Sequence, residues 1–377
     1  NKQSNRNTFS PFMTDVAEWC CEYYLRDATF VFDPFAGWGE RHKAVKESKK
    51  SYFGYDISEN VKNISEFSNH ISLLKSKEVP DIFDKMMYYQ ELPITSLRVL
   101  AEYKLNKLAK ELGYSVVISG DGGDHIGGGF KYYWISIILD EIKMKGPLEG
   151  KKLAEKFIKH FQIKKTDLLC DIFNVFSATL NPGTSTTDGT TYFNNTHFKK
   201  EFLIDNQLSR FNFMRPFDSE LLNFQFIDLK YHNLPRVLRM KDRASMANSV
   251  EMRVPLLDTD MIEYGFGLSH YDRVNGIQQR YFMVEAAKKY LKKINIPKHK
   301  VSIVDSQREW LKNELKDWAG DIINSSYLAD LGIFNTKKII KDFDIYCKRK
   351  KNLTSYNFFQ IINVGYWYKN IFKNKIF

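Results

Sequence analysis

Residues 119–129, SGDGGDHIGGG, are the part of this sequence whose side chains most clearly suggest chemistry. Six of these eleven residues are glycine and two, Asp121 and Asp124, are aspartate. Glycines let successive backbone N–H groups approach an anion without obstruction by Cβ, and carboxylates in a bend can hold a divalent cation. The stretch therefore predicts a site for the phosphates of a nucleotide and their metal ion. The backbone expected to surround the phosphates is that of Ser119, Gly120, Gly122 and Gly123.

The element that must position this loop is the short β-branched run Val116–Ile118 directly before it. Such a run, followed by Ser119 and then by a glycine-rich stretch, predicts a buried strand that ends in a glycine-rich turn. A plain corner between a strand and a helix, with glycines present only for tight packing, is the alternative interpretation.

Two long motifs in this chain resemble the asparagine synthetase family. SGDGGDH, with GGF after it, resembles the family's second nucleotide-binding loop, SG-(E/Q)-G-(A/G)-DE followed by FGGY. Residues 239–258, RMKDRASMANSVEMRVPLLD, resemble its block D-R-x-S-M-A-x-S-x-E-x-R-x-P-x-L-D. The resemblance covers roughly residues 60 to 377, including MMYYQELP at 86–93.

The resemblance implies a fold, a reaction and two cofactors. The fold is α/β: a parallel, doubly wound sheet of the Rossmann-like, adenine nucleotide alpha hydrolase-like kind, with a mainly helical C-terminal half. In the reaction, a small-molecule carboxylate attacks the α-phosphorus of ATP, Mg²⁺ neutralises the pyrophosphate leaving group, and ammonia or an amine then displaces AMP from the acyl-adenylate.

The resemblance also assigns roles to single residues. Asp124 matches a metal-ligating aspartate, and Asp121 replaces the usual glutamate that faces the nucleophile. Glu251 would lie beside the activated substrate, and Asp258 would help to shape that pocket. Arg280 stands where the family has a lysine that stabilises the acyl-adenylate chemistry.

The sequence departs from the family in two places. It contains no SGGxDSS, the loop expected after the family's first strand, and no N-terminal catalytic cysteine with its glutaminase domain. We therefore expect the ammonia or amine to come from solution or from a partner, such as a separate glutaminase.

Residues 29–56 form a predicted βαβ unit whose motifs resemble another family. DPFAGWGE at 33–40, with GYD at 54–56, resembles motif I of S-adenosylmethionine-dependent DNA methyltransferases, but a DPPY-like catalytic motif is missing. Gly37 and Gly39 would form the turn, and Asp56 would hold a ribose hydroxyl. The unit is either the first βαβ of one continuous sheet, or the sequence omits or joins segments of a longer protein.

Periodicity predicts the remaining elements. An amphipathic helix is expected over residues 96–112, ended by Gly113, and residues 135–230 are expected to be mostly helical around a polar loop at 181–191. A charged helix is expected to carry residues 239–253 and to stop at Pro255. The predicted division is a βαβ unit at 1–58, a nucleotide-binding core at 59–135 and a mainly helical part at 136–377.

Composition favours a cytoplasmic enzyme. No apolar run is long enough to span a membrane, and no signal peptide is recognisable. The formal net charge of +11 permits a nucleic-acid partner, but the basic residues are dispersed. The four cysteines lack the spacing of a zinc site or a disulfide framework.

Three functions thus stay open. The first is an ATP-dependent carbon–nitrogen ligase. The second is a nucleic-acid-modifying protein that binds S-adenosylmethionine at Gly37 and Asp56, and the third is a catalytically inactive scaffold. If the turns after the first and third strands face one crevice, Trp38 is placed to pack against a base.

Overall fold

The computed structural model describes residues 30–33, 51–54, 72–164, 196–205, 213–288, 306–348 and 355–373. Its strands are β1 (Phe30–Asp33), β2 (Ser51–Gly54), β3 (Val116–Ile118) and β4 (Glu251–Arg253). Its α-helices are α1 (Val79–Gln90), α2 (Arg98–Glu111), α3 (Gly123–Ile126), α4 (Trp134–Lys145), α5 (Pro147–Phe161), α6 (Lys200–Asp205), α7 (Glu220–Lys230), α8 (Asn233–Met246), α9 (Thr259–Gly267), α10 (His270–Arg273), α11 (Tyr281–Lys288), α12 (Gln307–Trp310), α13 (Lys316–Ile323), α14 (Ser326–Asp330), α15 (Thr336–Cys347) and α16 (Ser355–Trp367).

The four strands form one small parallel sheet in the order β2-β1-β3-β4. The parallel arrangement predicted for the first three strands is confirmed, and β1 and β2 belong to the same sheet as β3. Because β1 and β3 are parallel neighbours, their carboxyl ends lie at the same edge of the sheet. The fold is α/β and mostly helical; its doubly wound arrangement and the predicted unit boundaries stay predictions.

The prediction of one charged helix up to Pro255 is wrong. Helix α8 ends at Met246, and residues 251–253 are instead the strand β4, paired with β3. Ser249 adopts a left-handed backbone conformation, with φ of 54°, which interrupts the helix. The pairing of β4 with β3 brings Val250 next to Val117, and both belong to a small hydrophobic core between the sheet and α2.

The helix predicted before β3 is confirmed as α2, with ends one or two residues inside the expected ones. Gly113 follows it with φ of 87°, and its N–H donates to the carbonyl oxygen of Lys110 over 2.9 Å. This left-handed residue reverses the chain after the helix, and only glycine adopts the conformation without a Cβ penalty. Leu105 and Ala109 of α2 then pack under the sheet.

The largest hydrophobic core joins α1 and α2 to the C-terminal helices. At its centre the ring of Phe83 makes edge-to-face contacts with Trp318, Phe359 and Tyr366. Helix α8 contributes Met240 and Ala244 to the same core, which fixes its position relative to α1 and α2. A second core lies between α4, α5 and α7.

Several expectations concern residues outside the described part of the chain. They are the turn residues Gly37, Trp38 and Gly39, the acidic Asp56 and the polar stretch at 181–191. Among the helices that the structure does describe, none combines the length and apolar character needed to cross a membrane.

Candidate active site

The loop after β3 is held by the block that contains β4. The N–H of Ser119 donates to the carbonyl oxygen of Arg253 over 2.8 Å, which extends the strand pairing into the loop. Gly122 has φ of 97°, and a Cβ there would lie 2.3 Å from Cδ2 of Leu257; one on Gly123 would lie 3.0 Å from Cδ1 of Leu256. Close packing accounts for Gly123, and close packing together with a left-handed backbone accounts for Gly122, whereas Gly120 is exposed and faces open space.

Asp121 lies in a cluster of charged side chains. The ammonium of Lys241, on α8, lies 2.8 Å from Oδ2 of Asp121 and 3.5 Å from Oε1 of Glu102, on α2. Ser119 also donates its hydroxyl to Oδ2 of Asp121. All three charged side chains are largely buried, so one ammonium serves two carboxyl groups inside the protein.

Burial and charge act in opposite directions on these groups. Burial by itself would raise the pKa of Asp121, but the ammonium of Lys241 and the hydroxyl of Ser119 lower that pKa below its ordinary value. Burial raises the pKa of Glu102, and the second carboxylate adds to the rise. Burial would lower the pKa of Lys241, but the two carboxylates raise it, so the lysine stays charged. Asp121 is therefore the more acidic carboxyl group of the pair.

Asp124, on α3, forms an ion pair with Arg280, whose guanidinium Nη1 lies 3.4 Å from Oδ1. The N–H of Arg280 donates to the carbonyl oxygen of Gly127 over 2.9 Å, and Arg280 has a left-handed backbone with φ of 55°. A Cβ on Gly129 would lie 2.2 Å from Oδ1 of Asp124 and 2.9 Å from Cδ of Arg280. The second glycine cluster thus provides the space in which this ion pair forms.

We expect Gly129→Ala to destabilise the protein and displace this ion pair. The added methyl group has to move Asp124 or Arg280, and overpacking of this kind costs about 1–3 kcal/mol. Urea unfolding measures the loss. Gly320→Ala is the matched control, because no atom lies within 4 Å of a Cβ there and the site is within helix α13. Equal stability of the Gly129→Ala variant and the parent protein would contradict the packing argument.

The other predicted site residues, Glu251 and Asp258, lie in the segment that packs against this loop. Glu251 is at the start of β4, aligned with Val116, and its exposed carboxylate accepts from Arg253 over 2.8 Å. Asp258 caps α9, since its Oδ1 accepts the N–H of Asp260 over 3.0 Å. Asp121 and Asp124 thus share one loop and Arg280 pairs with Asp124, whereas Glu251 is aligned with Val116, before that loop.

Two residues of the charged cluster were not among the predicted site residues. Lys241 lies in the block at residues 239–258. In the sequence it looks like any exposed lysine on a charged helix. Glu102 carried the clearer signal, because it is three, four and seven residues before Leu105, Asn106 and Ala109, which form the buried face of α2. A glutamate on a buried helix face needs a partner of opposite charge.

A cavity lies on another part of the structure, beside α1. It has a volume of about 450 Å³, and α1 contributes most of its lining. The lining residues are Asp84, Lys85, Met87, Tyr88, Tyr89, Tyr103 and Asn370. None of the residues around the loop after β3 contributes to it.

Comparison with known proteins identifies the family of this chain. The family model for asparagine synthase matches residues 54–369, which is most of the sequence and includes both motifs. The chain belongs to the asparagine synthase family. Over 308 residues it is 21% identical to the glutamine-hydrolyzing asparagine synthetase 1 of Bacillus subtilis (strain 168), an alignment that covers 75% of this chain and 45% of that protein. The chain thus spans about half the length of this relative.

The asparagine synthase family uses ATP, typically with Mg²⁺. Mg²⁺ in nucleotide sites is bound through one or two carboxylates together with substrate phosphates rather than by a protein cage. Asp124 offers one carboxylate on this loop, and in the structure that carboxylate is paired with Arg280. In the described part of the chain, no group of three or more His, Cys, Asp or Glu residues is suited to a metal without a substrate.

Proposed function

We propose that this chain is an ATP-dependent carbon–nitrogen ligase that activates a small-molecule carboxylate as an acyl-adenylate for attack by ammonia or an amine. One observation carries the proposal: the loop after β3 bears two aspartates, Asp121 paired with Lys241 and Asp124 paired with Arg280, within a chain of the asparagine synthase family. A phosphate-directed loop with a carboxylate, a cation and a second, separately held carboxylate has the groups for both halves of this reaction.

In the first half, the carboxylate substrate forms a bond to the α-phosphorus of ATP, and the bond to pyrophosphate breaks. The backbone of Ser119, Gly120, Gly122 and Gly123 is proposed to face the phosphates. Asp124 would hold Mg²⁺, which supplies charge neutralisation for the leaving group. Arg280 adds a fixed positive charge at the same place, because its guanidinium lies next to Asp124.

In the second half, the amine nitrogen forms a bond to the acyl carbon, and the bond from that carbon to the AMP oxygen breaks. AMP leaves with the electron pair, and the nitrogen loses a proton. Asp121 is proposed to accept this proton, because the Lys241 contact lowers its pKa and keeps it ionised. Glu251 is proposed to contact the acyl part of the substrate from β4.

The adenosine end of ATP is proposed to lie toward β1 and β2. The carboxyl ends of β1 and β3 are neighbours at one edge, where ligands of open parallel sheets bind. Gly37, Gly39 and Asp56 would serve this end of a doubly wound sheet. The amine is proposed to be ammonia, and glutamine hydrolysis in the named relative favours glutamine as its source.

We expect carboxylate-dependent exchange of labelled pyrophosphate into ATP, and we expect Asp124→Asn to weaken it. Exchange reports the first half-reaction alone, so it needs no amine. Loss of one charged ligand oxygen should reduce Mg²⁺-dependent ATP affinity by about 10- to 100-fold, judged from the effect of outer-sphere substitutions on metal affinity. Isothermal titration calorimetry with Mg²⁺–ATP measures this directly.

The matched control for Asp124→Asn is Asp317→Asn, an exposed aspartate on α13. Equal Mg²⁺–ATP affinity in wild type and Asp124→Asn would refute the metal assignment. ATP binding without exchange across a panel of carboxylates would identify an inactive scaffold instead. Binding of S-adenosylmethionine in place of ATP would favour the nucleic-acid-modifying alternative.

A further inference from the structure

We propose that Lys241 is a positioning residue, which holds Asp121 ionised and leaves one oxygen of that carboxylate directed at the reacting amine. This inference rests on the proposed function and adds a residue to it. Lys241 is not placed to touch the substrate; it acts through Asp121.

The first argument is the distribution of hydrogen bonds on Asp121. The ammonium of Lys241 and the hydroxyl of Ser119 both donate to Oδ2. Within the part of the chain that the structure describes, no hydrogen bond reaches Oδ1. Two donors from different elements fix one oxygen and the plane of the carboxylate, so the other oxygen is the acceptor that remains for a ligand.

The second argument is the charge balance. The side chains of Lys241, Asp121 and Glu102 are 14%, 17% and 13% exposed. A carboxylate so far from water needs an opposite charge within a few ångströms to stay ionised. Two further titratable groups act on this cluster: His125 on α3, which favours ionised Asp121, and Arg98 on α2, which acts on Glu102. At 2.8 Å, Lys241 is in direct contact with Asp121.

The third argument is that helix α8 is anchored without Lys241. Met240 and Ala244 pack in the large core, and Arg239 donates to the carbonyl oxygen of Gln90. Arg243 lies 2.9 Å from the carboxylate of Glu91. These contacts lie on both sides of Lys241 along the helix, so removal of its ammonium should change the charge of the site more than the position of α8.

Lys241→Met is the test, read by carbon-13 NMR titration of aspartate-labelled protein with the Asp121 resonance assigned from Asp121→Asn. We expect the titration midpoint of Asp121 to rise by about 1 to 3 pH units, which is the usual effect of an adjacent opposite charge. Since the ionised form is the one that accepts a proton, the acidic limb of the pH profile of amide formation should move upward by the same amount. Pyrophosphate exchange should change little, and Lys241→Arg should restore most of the profile.

The control is Lys104→Met, which removes a lysine from α2 that pairs with Glu78 over 2.8 Å. It should leave the Asp121 midpoint unchanged. In Lys241→Met, the carboxylates of Asp121 and Glu102 repel each other without a balancing charge. If this prevents folding, the double variant Lys241→Met/Glu102→Gln removes the repulsion and is titrated in its place. An unchanged midpoint in the folded variant would overturn the proposal.

Different results would count against the ligase function and against the positioning role of Lys241. Absence of exchange in the wild-type protein would count against the ligase, while the NMR midpoint still reports whether Lys241 controls Asp121. A raised midpoint with an unmoved pH profile would show that Lys241 controls the charge but that Asp121 is not the proton acceptor, and would overturn the positioning role.

Discussion

Asp121→Asn should lower the rate of amide formation by about 10²- to 10⁴-fold, the usual contribution of a positioned general base. The amide cannot accept a proton from the attacking nitrogen, although it keeps nearly the same shape beside Ser119 and Lys241. Pyrophosphate exchange should stay close to the wild-type rate, because no proton leaves the carboxylate substrate in that step. Single-turnover measurement of amide product from preformed acyl-adenylate separates the two halves.

Two further variants test whether the loss of amide formation is specific to the carboxylate of Asp121. Asp317→Asn, at the exposed position used above, should not change either half-reaction. Asp121→Glu restores the residue type that the resemblance expects and should retain part of the amide-forming activity. Equal loss of exchange and amide formation in Asp121→Asn would contradict the assigned role and would indicate a general effect on the loop instead.

Arg280→Met should lower the rate of pyrophosphate exchange by about 10²- to 10³-fold, similar to the loss of one preorganised group that stabilises transition-state charge. Methionine fills the buried space but removes the positive charge next to Asp124. Because this charge is proposed to act where pyrophosphate leaves, the adenylation half should be affected most. Quench-flow measurement of acyl-adenylate formation checks the site of the effect.

Arg280→Lys is the informative companion, since it supplies the lysine that the resemblance expects here. It should retain most of the exchange activity if charge is what matters. An Arg280→Met variant with wild-type exchange would show that the guanidinium only neutralises Asp124. Urea unfolding of each variant distinguishes a lost charge from a damaged fold.

The predicted parts of the fold were those that local sequence determines. Strand β3 is a β-branched run with a glycine-rich stretch beginning two residues after it, and α2 has apolar residues at helical spacing with a glycine after its end. Strand β4 was missed, because its three residues alternate charge and methionine inside a segment that otherwise resembles a charged helix. Its strand conformation depends on pairing with β3, far away in the chain.

In the candidate site, too, the sequence predicted the local features but not the contacts between residues far apart in the chain. The two aspartates and the glycines of the loop were visible as a motif, but the reason for Gly122 is Leu257 and the reason for Gly129 is the pair of Asp124 and Arg280. Contacts between residues so distant in the sequence have no local pattern. In the charged cluster, the position of Glu102 on a buried helix face indicates that it needs a partner, but only the packing of α2 beside α8 shows that Lys241 is that partner and that Asp121 shares it.

The pairing of β3 with β4 also has a consequence for the order in which the protein can be made. Residues 116–118 leave the ribosome long before residues 251–253, so during synthesis β3 waits as an edge strand with unpaired backbone groups. Until β4 and α8 arrive, Asp121 lacks the ammonium that balances its charge. A nascent chain stalled between these two points would present an open sheet edge and an incomplete loop, which is the kind of intermediate that chaperones bind.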